Sequence, residues 1–167
     1  LAMKIMTCAL LSLLTTLPLH AAVHHSSDFG WEAGQDVTEA FAKLFETGKL
    51  KAGDELVLEH TYQIGAAQEL PDTFTLSAVE GAGFDVTHAK PDKGGEFLIL
   101  GDKNTLRNLT ITYVNTPQPG PGAGKHQTRG KHYYSMTGII AEDKSDITFE
   151  NCRLVGSISH HIKLTNC

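Results

Sequence analysis

The sequence has little cysteine: three residues in 167, none of them in a Cys-x-x-Cys arrangement. It therefore lacks the spacing of common zinc and redox motifs, and it cannot form the several bridges of a small disulfide-rich domain. It also lacks any uninterrupted apolar run of the roughly 20 residues that a membrane-spanning helix needs. The formal net charge of −5 argues against a general nucleic-acid binder.

The first residues have the layout of a secretory signal peptide. Lys4 gives a short positive region, and Ile5–Leu19 are apolar or small. We predict a signal peptide over residues 1–21, cleaved after Ala21. The alternative, a membrane anchor, requires a longer run. Lys4 is the only charged residue in the segment that cleavage would remove, so the remaining chain would have a net charge of −6. We expect a secreted, periplasmic or cell-surface protein with no membrane span after signal cleavage.

One helix is predicted in the mature chain. Residues 22–35 are polar and contain glycine, and we interpret them as a loose leader. Asp36 and Glu39 fit a capping box, and Gly48 is a natural helix stop. Between them, an apolar stripe at helical spacing predicts a helix over residues 36–47. The stripe consists of Val37, Ala40, Phe41, Leu44 and Phe45.

The rest of the chain has the pattern of short strands separated by Gly, Asn and Asp. No helices alternate with these strands, which disfavours a doubly wound α/β sheet and predicts an all-β fold. The predicted strands are Glu55–Glu59, Thr73–Ala78, Glu96–Leu100, Thr105–Val114, Gly138–Ala141, Asp146–Val155 and His161–Thr165.

The chain contains internal similarity. The segments ITFENC (147–152) and IKLTNC (162–167) share a pattern of alternating apolar and polar residues followed by Asn-Cys. Asn108 and Asn151 also share their flanking pattern. Because Asn tolerates left-handed backbone angles, each Asn is predicted to form a corner between two strands, with stacked Asn side chains sharing hydrogen bonds. Asn151 and Asn166 are only 15 positions apart, and the alternative is that they occupy different sides of adjoining coils.

The segments AGDELVLEHTYQI (52–64), GDKNTLRNLTI (101–111) and ITFENC resemble the pectate-lyase-like right-handed parallel β-helix superfamily. The resemblance covers residues 36–167 and concerns the repeat pattern rather than a catalytic signature. It implies a solenoid with an amino-terminal capping α-helix. Since the chain stops inside a repeat motif without a polar terminal cap, we expect a missing carboxy-terminal portion. The superfamily includes lyases, hydrolases, epimerases and non-enzymatic surface proteins, so fold does not settle function.

A Pro- and Gly-rich insertion, residues 115–134, is predicted to be a loop. No Asp or Glu occurs between Lys103 and Ala141. A locally positive loop on an acidic protein suits an anionic ligand such as a uronate polysaccharide, and the alternative is a solvated loop with incidental charge. The candidate substrate-binding residues are Lys125, His126, Arg129, Lys131, His132 and Tyr134.

The candidate catalytic residues are His161, Tyr133 and Lys163. Strand alternation places His161 and Lys163 on the face opposite Ile162, and in the resembling lyases the substrate lies along an outer sheet face. Polysaccharide β-elimination needs a base, a cation that neutralises the carboxylate, and an acid for the leaving oxygen. The alternative is an ordinary polar outer face. Adjacent histidines at 160 and 161 point to opposite faces, which weakens a joint metal site.

Three carboxylates, Glu142, Asp143 and Asp146, are the candidates for glycoside hydrolysis or for Ca²⁺ binding. We interpret them as a solvated turn. Ca²⁺ stays open as a cofactor, but no ligand set is assignable and no metal site is predicted. Cys152 and Cys167 are expected to be free, buried thiols, because the spacing of neighbouring strands exceeds the usual Cβ separation of a disulfide.

Together these features predict an exported carbohydrate-active protein. A polysaccharide lyase (a carbon–oxygen lyase) acting on an acidic polysaccharide is favoured. The alternatives are a non-catalytic, adhesin-like glycan binder and a glycoside hydrolase of the same fold. We expect a monomer that binds no nucleic acid.

Overall fold

The computed structural model describes residues 21–87, 96–114, 137–156 and 160–167. These residues form a mainly β structure with one α-helix and a short 3-10 helix at Ser26–Phe29. The helix α1 is Thr38–Glu46. The strands are β1 Val23–His25, β2 Glu55–Leu58, β3 Thr61–Ile64, β4 Gln68–Glu69, β5 Thr75–Ala78, β6 Gly83–Val86, β7 Leu98–Ile99, β8 Thr105–Arg107, β9 Thr110–Tyr113, β10 Thr137–Glu142, β11 Thr148–Glu150, β12 Arg153–Val155 and β13 His160–Thr165.

The strands form three parallel sheets. Sheet A has the order β1-β2-β5-β8-β11, sheet B the order β12-β9-β6-β3, and sheet C the order β13-β10-β7-β4. From β2 onward, neighbours within a sheet are three strands apart along the chain. The pairing is in register: Leu56, Leu76 and Leu106 are partners in sheet A, and Leu106 pairs in turn with Phe149. No helix in the described ranges has the length and apolar character to cross a bilayer.

The predicted helix is confirmed, with a different cap. Asp36 Oδ1 accepts hydrogen bonds from the Thr38 backbone N–H (2.9 Å) and hydroxyl (2.6 Å). Glu39 forms no capping box; its carboxylate instead lies 3.7 Å from Lys43 Nζ, one turn later. Gly48 has a φ of 68°, a left-handed angle that suits glycine at a helix end.

Thr105–Val114 and Asp146–Val155 each form two strands, with Asn108 and Asn151 at the bends between them, as the asparagine corners predict. Four strands were missed: β1, β3, β4 and β6. Strand β4 has two residues and β6 starts at Gly83, so neither carries a clear alternating pattern.

The prediction of a loose leader over residues 22–35 was wrong. Strand β1 pairs with β2 from Val23 to His25. Ser26 is fully buried and accepts a hydrogen bond of 2.7 Å from the Tyr62 hydroxyl. Trp31 is 6% exposed. The segment is ordered by contacts with residues about 30 positions away, which local composition does not reveal.

Aromatic rings connect the helix, the amino-terminal segment and the sheets. Trp31 lies 5.4 Å from Tyr62 and 6.0 Å from Phe41, measured between ring centroids. Phe41 of α1 lies 5.9 Å from Phe84, which lies 5.5 Å from Phe97. These are favourable separations for tilted and edge-to-face rings. The chain of contacts fixes α1 to the interior between the sheets.

Residues 22–46 contact β2 of sheet A, β3 of sheet B and β4 of sheet C. Strand β1 pairs with β2 of sheet A. In sheet B, Gln63 donates to the Gln35 carbonyl (2.8 Å) and accepts from the Val37 N–H (3.0 Å). In sheet C, α1 contacts β4. Because an open strand edge invites pairing with other chains, this arrangement protects the amino-terminal edge.

The opposite edge is formed by β11, β12 and β13. Among the described residues, no further strand pairs with their outer sides. Ile162 and Leu164 pair with Ile139 and Ala141, which are fully buried, yet they are 37% and 49% exposed themselves. The two edges of the described structure therefore differ in their protection.

The connections from sheet C to sheet A have a constant length. Residues 70–74, 100–104 and 143–147 each comprise five residues. Asp72 Oδ1 accepts a hydrogen bond from the Asp102 N–H, and Asp102 Oδ1 accepts one from the Ser145 N–H, both 2.8 Å. Each turn is thus connected to the next by a hydrogen bond from a backbone N–H to an aspartate carboxylate.

The predicted asparagine corners are confirmed between sheets A and B. Asn108 and Asn151 have φ values of 58° and 51°, and Asn151 Nδ2 donates to Asn108 Oδ1 at 3.2 Å. Asn166 follows sheet C and donates to Asp143 Oδ1 at 2.9 Å. Asn151 and Asn166 therefore occupy different corners, the alternative suggested by their short separation.

Replacing Asn108 should test the cost of its left-handed backbone. Asn108→Ala should lower the free energy of unfolding by about 1–2 kcal/mol, since alanine is strained at this φ. Asn108→Gly should cost less, because glycine adopts the angle freely. Urea denaturation of both variants measures the difference. An alanine variant as stable as the glycine variant would contradict this account of the corner.

The Asp102 turn should make stability acid-sensitive. The pKa of Asp102 is lowered, chiefly by the hydrogen bond from the Ser145 N–H and further by the Ser145 hydroxyl and Lys144. Stability from the ionised group is present above its unfolded pKa of about 3.9 and is lost as pH falls through the lower folded value. Asp102→Asn should therefore lose less stability between about pH 6 and pH 2 than the wild type.

The matched control is Glu80→Gln, which changes an exposed carboxylate away from this turn. Urea midpoints measured across the pH range should separate the two variants. If Asp102→Asn and Glu80→Gln show the same acid dependence, the hydrogen bond to Ser145 does not stabilise the folded state as described.

Candidate functional site

The connections from sheet B to sheet C vary in length, unlike the turns from sheet C to sheet A. They comprise residues 65–67, 87–97, 114–136 and 156–159. Long connections on a rigid scaffold often contain binding and catalytic residues. The surface where sheets B and C meet is therefore the first place to look for a functional site.

The predicted basic loop lies in the longest of these connections. Tyr133 and all the candidate substrate-binding residues lie outside the described residues; these are Lys125, His126, Arg129, Lys131, His132 and Tyr134. The connection starts after Tyr113, the last residue of β9, and ends at Thr137, the first residue of β10. Thr137 pairs with His160 of β13, so one attachment point of the loop is next to the predicted catalytic strand.

Tyr113 and His161 come together at this corner. Their ring centroids are 5.8 Å apart, with an angle of 58° between the planes. Tyr113 is only 2% exposed. His161 is half-buried, and its Nδ1 atom is buried without a hydrogen-bond partner in the described part of the chain. Buried polar atoms normally have a partner, which makes this histidine a candidate for function.

Two glycines shape the space around Tyr113. A Cβ on Gly138 would lie 1.9 Å from the Tyr113 hydroxyl oxygen and 2.7 Å from the His161 carbonyl oxygen. A Cβ on Gly156 would lie 2.9 Å from Tyr113 Cβ. Neither position has room for a side chain. We will call Tyr113, Gly138 and His161 the corner cluster.

Burial controls the protonation of Tyr113. It raises the pKa of the phenol above its ordinary value of about 10. The side chain is therefore neutral at physiological pH. A neutral, buried phenol cannot act as a base toward a large polysaccharide, but it can hold the neighbouring imidazole in position.

Lys163 follows His161 on β13 and lies beside a carboxylate. In sheet C, Thr137 pairs with His160 and Ile139 with Ile162, so Gly138 lies beside His161 on the neighbouring strand. Lys163 pairs with Ile140. Lys163 Nζ is 3.9 Å from Glu142 Oε1, and the two side chains are 51% and 58% exposed. Such an exposed pair contributes little to stability, so Lys163 remains available to an anionic ligand at small cost.

The structure brings two of the three predicted catalytic residues onto one strand. Both His161 and Lys163 lie on β13. Sequence reasoning missed Tyr113, whose strand position looked like an ordinary interior aromatic. The available signal was Gly138, since glycine within a strand often marks a close approach by another group.

The three carboxylates considered for hydrolysis have other contacts. Asp143 and Asp146 have φ values of 53° and 56°, so each lies at a backbone corner. Asp143 accepts a hydrogen bond from Asn166, and Glu142 faces Lys163. Within the described ranges, no three His, Cys, Asp or Glu residues converge on a point that could hold a metal ion.

The two cysteines within the described residues, Cys152 and Cys167, are free thiols with different exposure. Cys152 is half-buried, and burial raises the pKa of its thiol. Its Sγ lies 3.3 Å from the Leu106 carbonyl oxygen. Cys167 is exposed, which corrects the prediction of a buried residue: it lies on the uncovered edge after β13.

Comparison with known proteins gives no match to this chain, whether among protein-family models, curated proteins or solved structures.

Changing Gly138 should disturb the corner cluster. Gly138→Ala should lower the free energy of unfolding by about 1–3 kcal/mol, because the new Cβ overlaps the Tyr113 hydroxyl. Adding Tyr113→Phe should recover part of this loss by removing that oxygen. Gly65→Ala is the matched control, since its Cβ would meet no atom closer than 3.4 Å. Equal effects of the two alanine variants would contradict the packing described.

Proposed function

We propose that the three sheets are the faces of a right-handed parallel β-helix, with α1 as its amino-terminal cap. The support is the strand order, in which the chain visits sheets A, B and C in turn and each visit adds a strand next to the previous one. Parallel crossover connections are almost always right-handed. The cap role is supported by the contacts of residues 22–46 with β2, β3 and β4, one strand in each sheet.

We further propose that the protein is exported and cleaves an acidic, uronate-containing polysaccharide by β-elimination. The observation that carries this proposal is the corner cluster, in which a half-buried histidine lies against a buried tyrosine and has a ring nitrogen with no hydrogen-bond partner among the described residues. The signal-like amino terminus supports export. The resemblance in repeat pattern supports a carbohydrate substrate.

In this proposal His161 is the base. It removes the proton on the carbon next to the uronate carboxylate, the electrons form a carbon–carbon double bond, and the bond to the leaving glycosidic oxygen breaks. Lys163 neutralises the carboxylate while negative charge develops on it. Tyr113 is a positioning residue, since it is too buried to reach the polymer. Tyr133 is the candidate acid that protonates the leaving oxygen.

Substrate attraction is assigned to the basic connection between β9 and β10. It contributes Lys125, Arg129 and Lys131, and no acidic residue occurs from Lys103 to Ala141. On a protein of net charge −5, such a local excess of positive charge favours polyanions at this side of the molecule.

A non-catalytic glycan binder is the second candidate. Thr75, Thr105 and Thr148 are partners in sheet A and form a row of side chains across neighbouring strands. A row of hydroxyl groups offers hydrogen bonds to a polymer without supplying a base. A glycoside hydrolase has less support, because Asp143 and Asp146 lie at backbone corners.

The lyase proposal is tested with pectate, alginate and chondroitin as substrates. The measurement is the ultraviolet absorbance of the new double bond conjugated to the carboxylate. His161→Ala should lower kcat/KM by about 10²–10⁴-fold, the usual contribution of a general base. Lys163→Ala should also lower kcat/KM, and Lys163→Arg should recover part of the activity.

The matched control is His160→Ala, which removes the neighbouring histidine on the opposite strand face and should leave activity within about twofold, as expected for a group outside the reaction. Absence of unsaturated product from all three polymers would refute the lyase. Binding to one of them without turnover would then favour the glycan binder.

A further inference from the structure

The amino-terminal end of β1 meets a buried carboxylate. Asp54 is 2% exposed. Its Oδ1 atom accepts a hydrogen bond of 3.1 Å from the Ala22 backbone nitrogen, and its Oδ2 atom accepts one of 3.0 Å from the Lys51 N–H. His24 Nε2 lies 3.7 Å from Oδ2, which is too far for a good hydrogen bond but within ion-pair distance when the imidazole is protonated.

Strand pairing fixes the position of the Ala22 nitrogen. Val23 is the register partner of Glu55, the residue after Asp54. The Glu55 N–H donates to the Ala22 carbonyl oxygen at 2.8 Å. The backbone pairing of β1 with β2 therefore fixes the position of the Ala22 nitrogen next to the Asp54 carboxylate.

Hydrogen bonds and nearby positive charge both offset the hydration that a carboxylate loses on burial. Two backbone N–H groups supply only partial charges. The signal-peptide prediction places the cleaved bond between Ala21 and Ala22, so the nitrogen that faces Asp54 is the one that cleavage would release.

We propose that removal of the signal peptide completes this site by turning the Ala22 amide into an α-ammonium group that pairs with Asp54. In the cleavage, water adds to the Ala21 carbonyl carbon and the Ala21–Ala22 bond breaks. Ala21 leaves as a carboxylate, and the Ala22 nitrogen takes up the protons that make it an ammonium. The inference rests on the export part of the proposed function and is independent of the polysaccharide reaction.

The ion pair fastens β1 to sheet A only in the processed protein. In the uncut chain the same nitrogen is a neutral amide. Since β1 covers the edge of β2, processing would strengthen the protection of that edge once the protein has been exported.

The first experiment identifies the mature amino terminus. The full chain is produced in an exporting host, and intact mass and amino-terminal sequencing are measured on the exported protein. Ala22 as the first residue is expected. Any other first residue overturns the proposal.

The second experiment compares two forms made without export, by proteolytic removal of a fusion partner. One starts at Ala22 and the other retains Leu19–Ala21 in front of it. The form starting at Ala22 should have a Tm higher by roughly 2–8 °C, for a chain of this size. In Asp54→Asn the difference should disappear. Equal Tm values in the wild type, or an undiminished difference in Asp54→Asn, overturn the proposal.

If Asp54→Asn does not fold, the reactivity of the amino-terminal amine in the two wild-type forms tests the proposal instead. An ammonium paired with a buried carboxylate should react with acetic anhydride at least about tenfold more slowly than the amine of the extended form, because it gives up its proton less readily. Equal acylation rates of the two folded proteins overturn the proposal. Neither measurement uses a polysaccharide, so failure of the lyase assay leaves this test unaffected.

Discussion

In-register hydrogen bonding between parallel strands is the constraint on which the rest of this structure depends. From β2 onward each strand pairs with the strands that come three strands earlier or later in the chain. No sheet can therefore form from one local segment. Parallel pairing also requires long connections. The stacked Asp72, Asp102 and Ser145 turns and the paired Asn108 and Asn151 corners keep successive connections aligned. Where alignment holds, apolar partners such as Leu56, Leu76 and Leu106 become buried together.

Local chemistry was sufficient to predict the helix and the asparagine corners. The apolar spacing that includes Phe41 and Leu44 identified α1, because helical periodicity is a property of neighbouring residues. Asn108 and Asn151 were recognisable since few residues tolerate left-handed angles. Thr73 and Lys103 also have positive φ values, of 60° and 57°, but their side chains give no such signal. Their backbone angles are imposed by the stacked turns.

The contacts of the candidate site could not be derived from the sequence, because they join distant residues. His161 and Lys163 were selected from strand alternation and from the groups that β-elimination needs. Tyr113 reaches His161 across 48 positions of the chain, and only the pairing of sheets places them together. The same reason explains the misread amino-terminal segment. The sequence predicted that Ala22 starts a loose leader, whereas its backbone nitrogen donates a hydrogen bond to the carboxylate of Asp54, 32 residues later.

The connections of constant length and those of variable length differ in whether residues can be added to them without disturbing the sheets. The three turns from sheet C to sheet A in the described ranges have five residues each, whereas the connections from sheet B to sheet C range from the three residues 65–67 to residues 114–136. A residue added to the former would break a carboxylate–amide bond in the stack. One added to the latter need not move any paired strand. Insertions and deletions can therefore reshape the surface at one corner, while the sheets that carry that corner keep their spacing.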